Sequence, residues 1–196
     1  MNVLTLIQKH NEEVPVILGE QIGQGADGQV FIIKNEPNKV IKLSVIYGES
    51  EGDVKNAYRK AARTFSWMHE NNSNAFVRVD GYGFLGSYAT ATKYYAIHYH
   101  MMERLFTISS DEEKVFHSIL SHEDANKIKN YSGEQVEEML DGMKKGLDFD
   151  VSAVKFFVEN LKNSPIVQSD LHPRNIMKDK AGQFKIIDCD RCHFTN

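Results

Sequence analysis

Two spacings of apolar residues divide this chain. In its first half, short runs of β-branched and aromatic residues dominate: Val16–Ile22, Phe31–Lys34, Lys39–Leu43, Phe76–Gly83 and Tyr94–Met102 read as five strands, parted by Gly-, Asn- and Pro-bearing turns. One segment interrupts them. Between Asp53 and Asn71, the residues Val54, Ala57, Tyr58, Ala61, Ala62, Phe65, Met68 and His69 fall on one broad helical face. From Ser110 onward the spacing turns helical. Ser110-x-x-Glu113 and Ser132-x-x-Gln135 predict capping boxes, and Asp150 predicts an N-cap for a helix over Val151–Leu161 whose stripe is Val154, Phe157, Val158 and Leu161. Gly142 and Gly146 bracket the exit from the helix that starts at Ser132.

The last stretch, Ile166 to Cys192, breaks the helical spacing and carries the most chemistry. Asp170 is followed by Asn175, five residues on, and by Asp188, thirteen beyond that. Between them Ile176 and Met177 are apolar, Lys178–Gln183 has turn composition, and Phe184–Ile187 alternates like a short strand. Two carboxylates and an amide so spaced are aimed at one place. Phosphoryl transfer needs oxygen ligands for Mg²⁺ and a carboxylate that orients the attacking hydroxyl. A D-x-x-x-x-N run alone reads first as a polar loop, and Asp188 behind a strand is what lifts it above that.

A second constellation lies near the start. Gly23, Gly25 and Gly28, with Val30 behind them, form G-x-G-x-x-G-x-V between two strands. Glycines there let backbone N–H groups approach phosphate oxygens with no Cβ in the way. Dinucleotide-binding folds share the motif but enter a helix after the third glycine, whereas Gln29–Lys34 is β-branched and aromatic with no helical period. Lys42 follows, inside the apolar run Val40–Leu43.

Together, the D-L-H-P-R-N and I-I-D runs and the glycine hairpin followed by V-I-K resemble the protein-kinase-like superfamily. The resemblance implies an α+β, two-lobed fold: an N-lobe over residues 1–102 with five strands and one helix, and a reduced helical C-lobe over 103–196. It implies ATP and Mg²⁺ as cofactors, Asp170 as catalytic base, Asn175 and Asp188 as metal ligands, and Lys42 on the α- and β-phosphates. Gly23, Gly25, Gly28 and Val30 would cover the nucleotide. Glu103, within Met101–Leu105, would fall in the segment that offers backbone hydrogen bonds to adenine. Among small members the chain looks most like the early protein kinases of tailed bacteriophages, on the P-N-K-V-I-K strand and the H-x-x-N-I-M ending.

Departures from the pattern bear on activity and substrate. The family pairs its strand lysine with a mid-helix Glu, yet Tyr58–Met68 contains no acid, leaving Glu51, Asp53 or nothing as the partner of Lys42. Ser169 stands where an arginine would anchor a phosphorylated activation loop. His172 stands where Ser/Thr kinases carry a lysine for the γ-phosphate, and is assigned that catalytic position. The sequence ends eight residues after Asp188, so the reading expects neither an activation segment nor the usual peptide-docking helices. The expected activity is ATP-dependent transfer to Ser or Thr hydroxyls of protein substrates, itself included. D-L-H-P-x-N also resembles aminoglycoside- and homoserine-type small-molecule phosphotransferases, and a nucleotide-binding pseudokinase is a third reading.

Composition removes several classes. A chain of 196 residues, 41% hydrophobic and 26% charged with net charge −4, has no global basic field for nucleic acid or anionic membrane. The apolar start Met1–Ile7 is short and lacks a basic leader, so neither a signal peptide nor a membrane span is expected. Two cysteines fit a reducing cytoplasm. They stand in Cys189-Asp190-Arg191-Cys192-His193, the C-x-x-C-H pattern of haem attachment; that reading, a redox pair and a metal site are each weighed against two ordinary thiols. Oligomeric state is not legible.

Overall fold

The structure, a computed structural model, describes residues 2–71, 73–120, 128 and 130–195. The described residues form a mixed α+β protein with five α-helices and a five-stranded antiparallel sheet. They divide into two compact units, Met1–Asn71 with Arg78–Arg104, and Asn72–Val77 with Leu105–Asn196.

In the first unit, α1 (Val3–Lys9) precedes β1 (Leu18–Gln24), β2 (Gly28–Ile33) and β3 (Glu36–Gly48). Next come α2 (Glu51–Asn71), β4 (Val79–Ala89) and β5 (Tyr94–Glu103), giving the sheet order β1-β2-β3-β5-β4. Because side chains alternate across a strand, β3 serves two layers. Ile41, Leu43 and Val45, with Tyr95 and Ile97 of β5, meet the buried Val3, Leu6 and Ile7 of α1. Those three residues recur at helical spacing, so the apolar start is a docked helix, capped by the Asn2 side chain, which accepts from the Thr5 N–H. Behind α1, His10 stacks on Tyr88 at 3.5 Å and lies 2.6 Å from the Tyr95 hydroxyl through Nε2. Tyr88 donates to Glu12, and its pKa is pushed up to about 12, first by burial and then by that carboxylate.

The opposite face of the sheet meets α2. Phe65 stacks on His100 at 4.6 Å and Tyr58 lies 5.6 Å from His98, both imidazoles being buried. Thr64 enters this core unflagged by the apolar pattern; its hydroxyl donates back to Ala61 O at 2.7 Å, which satisfies it. The helix starts two residues before the expected Asp53. Ser50 is its cap: the Asp53 N–H donates to Ser50 Oγ at 3.1 Å, and the Asp53 carboxylate accepts from the Ser50 N–H at 2.9 Å.

In the second unit, β6 (Phe106–Thr107) leads to α3 (Ser110–Leu120), α4 (Gly133–Met143) and α5 (Val151–Lys162). Four short strands follow, β7 (Ile166–Gln168), β8 (Ile176–Lys178), β9 (Phe184–Ile186) and β10 (Cys192–Phe194). Phe116, Phe157 and Phe184 pack edge to face, two pairs at 4.8 and 5.4 Å, around the buried Ile166 and Ile186. Residues 76–77, read from the sequence with the fourth strand, instead join this unit together with residues 73–75 before them. Phe76 bridges Ile186 in parallel, Val77 N–H donates to Ile186 O at 2.9 Å, and the buried Lys185 donates to Ser73 O at 3.2 Å. Lys185 therefore breaks the expected in-out alternation of β9.

The caps of α4 and α5 are as expected: Ser132 and Gln135 exchange capping hydrogen bonds, and Asp150 accepts from the Ser152 and Ala153 N–H groups. At α3 the box is one residue earlier than expected, Ser109 with Glu112. Glu112 is chosen because it also pairs with Lys178 of β8 while only 5% exposed. Burial alone would raise its pKa, but the bonds from Lys178 and Ser109 outweigh it and hold the carboxyl below its ordinary 4.5. Stability from this pair is thus present above the ordinary carboxylate range and lost as pH falls through the depressed value. Glu112→Ala is expected to lower the unfolding free energy by about 2–3 kcal/mol at neutral pH, less than a fully buried pair because Lys178 reaches solvent. Urea titrations at pH 7 and pH 3 check this: the gap between wild type and variant closes at the lower pH.

Candidate functional site

The glycine hairpin is tighter than its sequence suggests. Strands β1 and β2 run to Gln24 and from Gly28, leaving Gly25, Ala26 and Asp27 as the turn. The Gly25 N–H donates to Gly28 O at 2.9 Å, and Asp27 O accepts from the Val45 N–H at 2.8 Å, folding the turn onto β3. Only Gly28 is demanded by close approach here: a Cβ on it would lie 2.7 Å from Leu43 O and 3.2 Å from Lys42 Cε. Nothing lies within 4 Å of a Cβ on Gly25, and one on Gly23 meets Val30 at ordinary contact. Gly28→Ala is expected to destabilise the first unit by about 1–3 kcal/mol. Gly25→Ala changes unfolding by less than about 0.5 kcal/mol. Chemical denaturation of the two variants measures the contrast.

Lys42 runs beneath Gly28. It is paired across the sheet with Val30 on one side and His100 on the other, and its side chain is half-buried on the face that also holds Ser44 and His98. The two acids considered for it are engaged elsewhere. Glu51 binds Lys55 at 2.5 Å and accepts from Ser87 at 3.1 Å, bonds that hold its carboxyl below the usual range, and Asp53 caps α2. Glu103 ends β5 with its N–H on Arg78 O at 3.1 Å and its carboxylate on the Arg78 N–H at 2.8 Å. Arg104 N–H is likewise held by Asn38 O at 2.8 Å, so these two donors are already spent within the unit.

In the second unit, the acid–amide–acid set is laced into one loop. Between β7 and β8, Pro173–Asn175 forms a single 3₁₀ turn, with Pro173 pre-set for its first position and His172 extended before it. The Asn175 amide nitrogen donates to Asp170 O at 2.9 Å, and Asn175 O accepts from the Ile187 N–H at 2.8 Å. Asp188 follows in the left-handed conformation, φ 61° and ψ 48°, which Asp tolerates better than most residues. From there Cys189–Arg191 makes a second 3₁₀ turn into β10, which pairs with β7.

Gln168, missed by the sequence reading, ties the two acids. Only 1% exposed, it accepts the Asp170 N–H on Oε1 and donates through Nε2 to Asp188 O at 3.3 Å. The available signal was a glutamine ending an apolar strand two residues before Asp170. Arg191 was also missed, being read only as filler between cysteines. Its Nη1 lies 3.3 Å from Asp170 Oδ2, each side chain half exposed. The cysteines themselves are buried, and burial, then the bond with Cys189, pushes the Cys192 thiol well above its usual pKa. A thiol so held is a poorer nucleophile than an exposed one.

The donor chemistry of this loop fits a hard divalent cation. With the Asn175 nitrogen on Asp170 O, Asn175 Oδ1 and the Asp188 carboxylate are the oxygen donors that could hold an ion such as Mg²⁺. Asn175 is buried and Asp170 is exposed.

No protein-family model matches the sequence, and no curated protein matches it. Among solved structures the fold is similar to that of WbdD, at 13% identity and a TM-score of 0.43, over 91% of this chain and 34% of that one. The chain therefore spans about a third of that protein's length. Among the described residues no helix is long and apolar enough to cross a membrane.

Proposed function

We propose that this chain is a two-lobed, protein-kinase-like phosphotransferase that moves the γ-phosphoryl group of ATP onto a Ser or Thr hydroxyl of a protein. The observation that carries this reading is the loop in which Asp170, Asn175 and Asp188 are bound to one another through Asn175 and Gln168. The glycine hairpin over Lys42 supports it. In the step itself, the bond from phosphorus to the β,γ-bridging oxygen breaks as one to the acceptor oxygen forms. ADP leaves, and the acceptor proton passes to Asp170. Mg²⁺, when bound, supplies charge neutralisation at the phosphate oxygens. Asn175 Oδ1 and Asp188 would hold it, and Lys42 would meet the α- and β-phosphates.

A pseudokinase is the second reading, favoured by one observation: Glu51 and Asp53, the acids nearest the place of the usual lysine partner, are both otherwise engaged. Incubation with γ-labelled ATP and Mg²⁺ decides. Label in protein supports the proposal, label in small metabolites points to a small-molecule kinase, and binding without turnover supports the pseudokinase.

A further inference from the structure

The transferring phosphoryl group carries negative charge into a loop that already holds Asp170 and Asp188, so the loop needs a cation beyond the metal. The cation in contact with the base is Arg191, 3.3 Å from Asp170 Oδ2.

Its backbone is held unusually well for a residue so exposed. Arg191 O accepts from both the Ser169 N–H at 3.2 Å and Ser169 Oγ at 2.9 Å. Its N–H closes the 3₁₀ turn on Asp188 O at 3.4 Å, and the next residue enters β10, paired with Gln168 of β7. The chain around Asp170 and the chain after Asp188 therefore hold the base of the Arg191 side chain from both sides. The guanidinium beyond remains half exposed, and an ion pair so wet is worth little by itself. An arginine anchored this firmly beside Asp170, with its guanidinium half exposed, is placed to meet a second anion.

We propose that Arg191 is the phosphoryl-binding cation of this site, its fork shared between the Asp170 carboxylate and the oxygens of the group in flight. The proposal rests on the phosphotransferase reading above. Arg191 neutralises charge that grows as the phosphorus–oxygen bond to ADP breaks, and keeps Asp170 turned toward the acceptor hydroxyl whose proton it takes. The planar guanidinium suits this double contact better than an ammonium would.

The test is steady-state transfer from ATP by full-length wild type, Arg191→Lys and Arg191→Ala, with ADP affinity and thermal unfolding measured on each. Arg191→Ala is expected to lose roughly 10²-fold in kcat, while ADP affinity and unfolding midpoint stay near wild type. Arg191→Lys recovers part of the loss, and added guanidinium ion restores rate to the alanine variant but not to wild type. A purely structural arginine would shift the unfolding midpoint and give no such rescue, and that result overturns the proposal. So does an unchanged or raised kcat in Arg191→Ala beside an active wild type, which leaves the phosphotransferase reading intact. A wild type that transfers nothing overturns both.

Discussion

Asp170→Ala is expected to cut phosphoryl transfer by at least roughly 10²-fold, the contribution of a positioned base, while nucleotide affinity changes little. The expectation follows from how the residue is held. Its backbone is fixed on both sides, the N–H by Gln168 and the carbonyl by Asn175, whereas the side chain stands half in solvent against Arg191. Truncation therefore removes a carboxylate without unpinning the loop, and unfolding should move by no more than about 0.5 kcal/mol. Single-turnover transfer with saturating ATP, read beside a denaturation curve, separates the chemical loss from any loss of fold. Comparable transfer by the variant removes Asp170 from its role.

Asp188→Asn is the second large effect expected, a fall of at least roughly 10²-fold in rate together with a raised Mg²⁺ requirement. Asparagine keeps the shape and, like aspartate, tolerates the left-handed backbone that position 188 adopts. The loss would then belong to the missing charge. Asp188→Ala should add a backbone penalty of about 1 kcal/mol, because alanine in that conformation has no polar side chain to offset the clash. Rates measured across a Mg²⁺ titration distinguish the two. A Mg²⁺ dependence identical to wild type would mean that Asp188 is not a ligand.

Sequence carried the sheet and the late loop because both depend on local pattern. Alternating apolar runs gave the strands of the first unit, and the Asn175 and Asp188 spacings stand out against their apolar surroundings. Elements decided by distant partners were less legible. α1 spans 7 residues, too short for a periodic window, and only the sheet face that receives Val3, Leu6 and Ile7 makes it a core element. The adjacent pairs Ser109-Ser110 and Glu112-Glu113 offer two capping registers. The structure takes the earlier one, in which Glu112 reaches Lys178, 66 residues away. β3 runs to Gly48 rather than Leu43 because β5 pairs with it through Tyr94.

The site shows the same division. The types and spacing of Asp170, Asn175 and Asp188 announce themselves, but Gln168 and Arg191 act through backbone carbonyls and an ion pair that no spacing encodes. Lys42 was visible as a lysine in an apolar strand. Its setting beside the register partner His100, with Glu51 and Asp53 turned to other bonds, required the fold.

The central proposal is that the glycine hairpin covers a nucleotide whose phosphates reach Lys42. An acyl-phosphate derivative of ATP, which transfers its acyl group to a lysine lying at the phosphates, tests it when the labelled lysines are mapped by mass spectrometry. The account predicts acylation of Lys42 that is competed by ATP. Lys42 left unlabelled, or labelled to the same extent beside excess ATP, would contradict it.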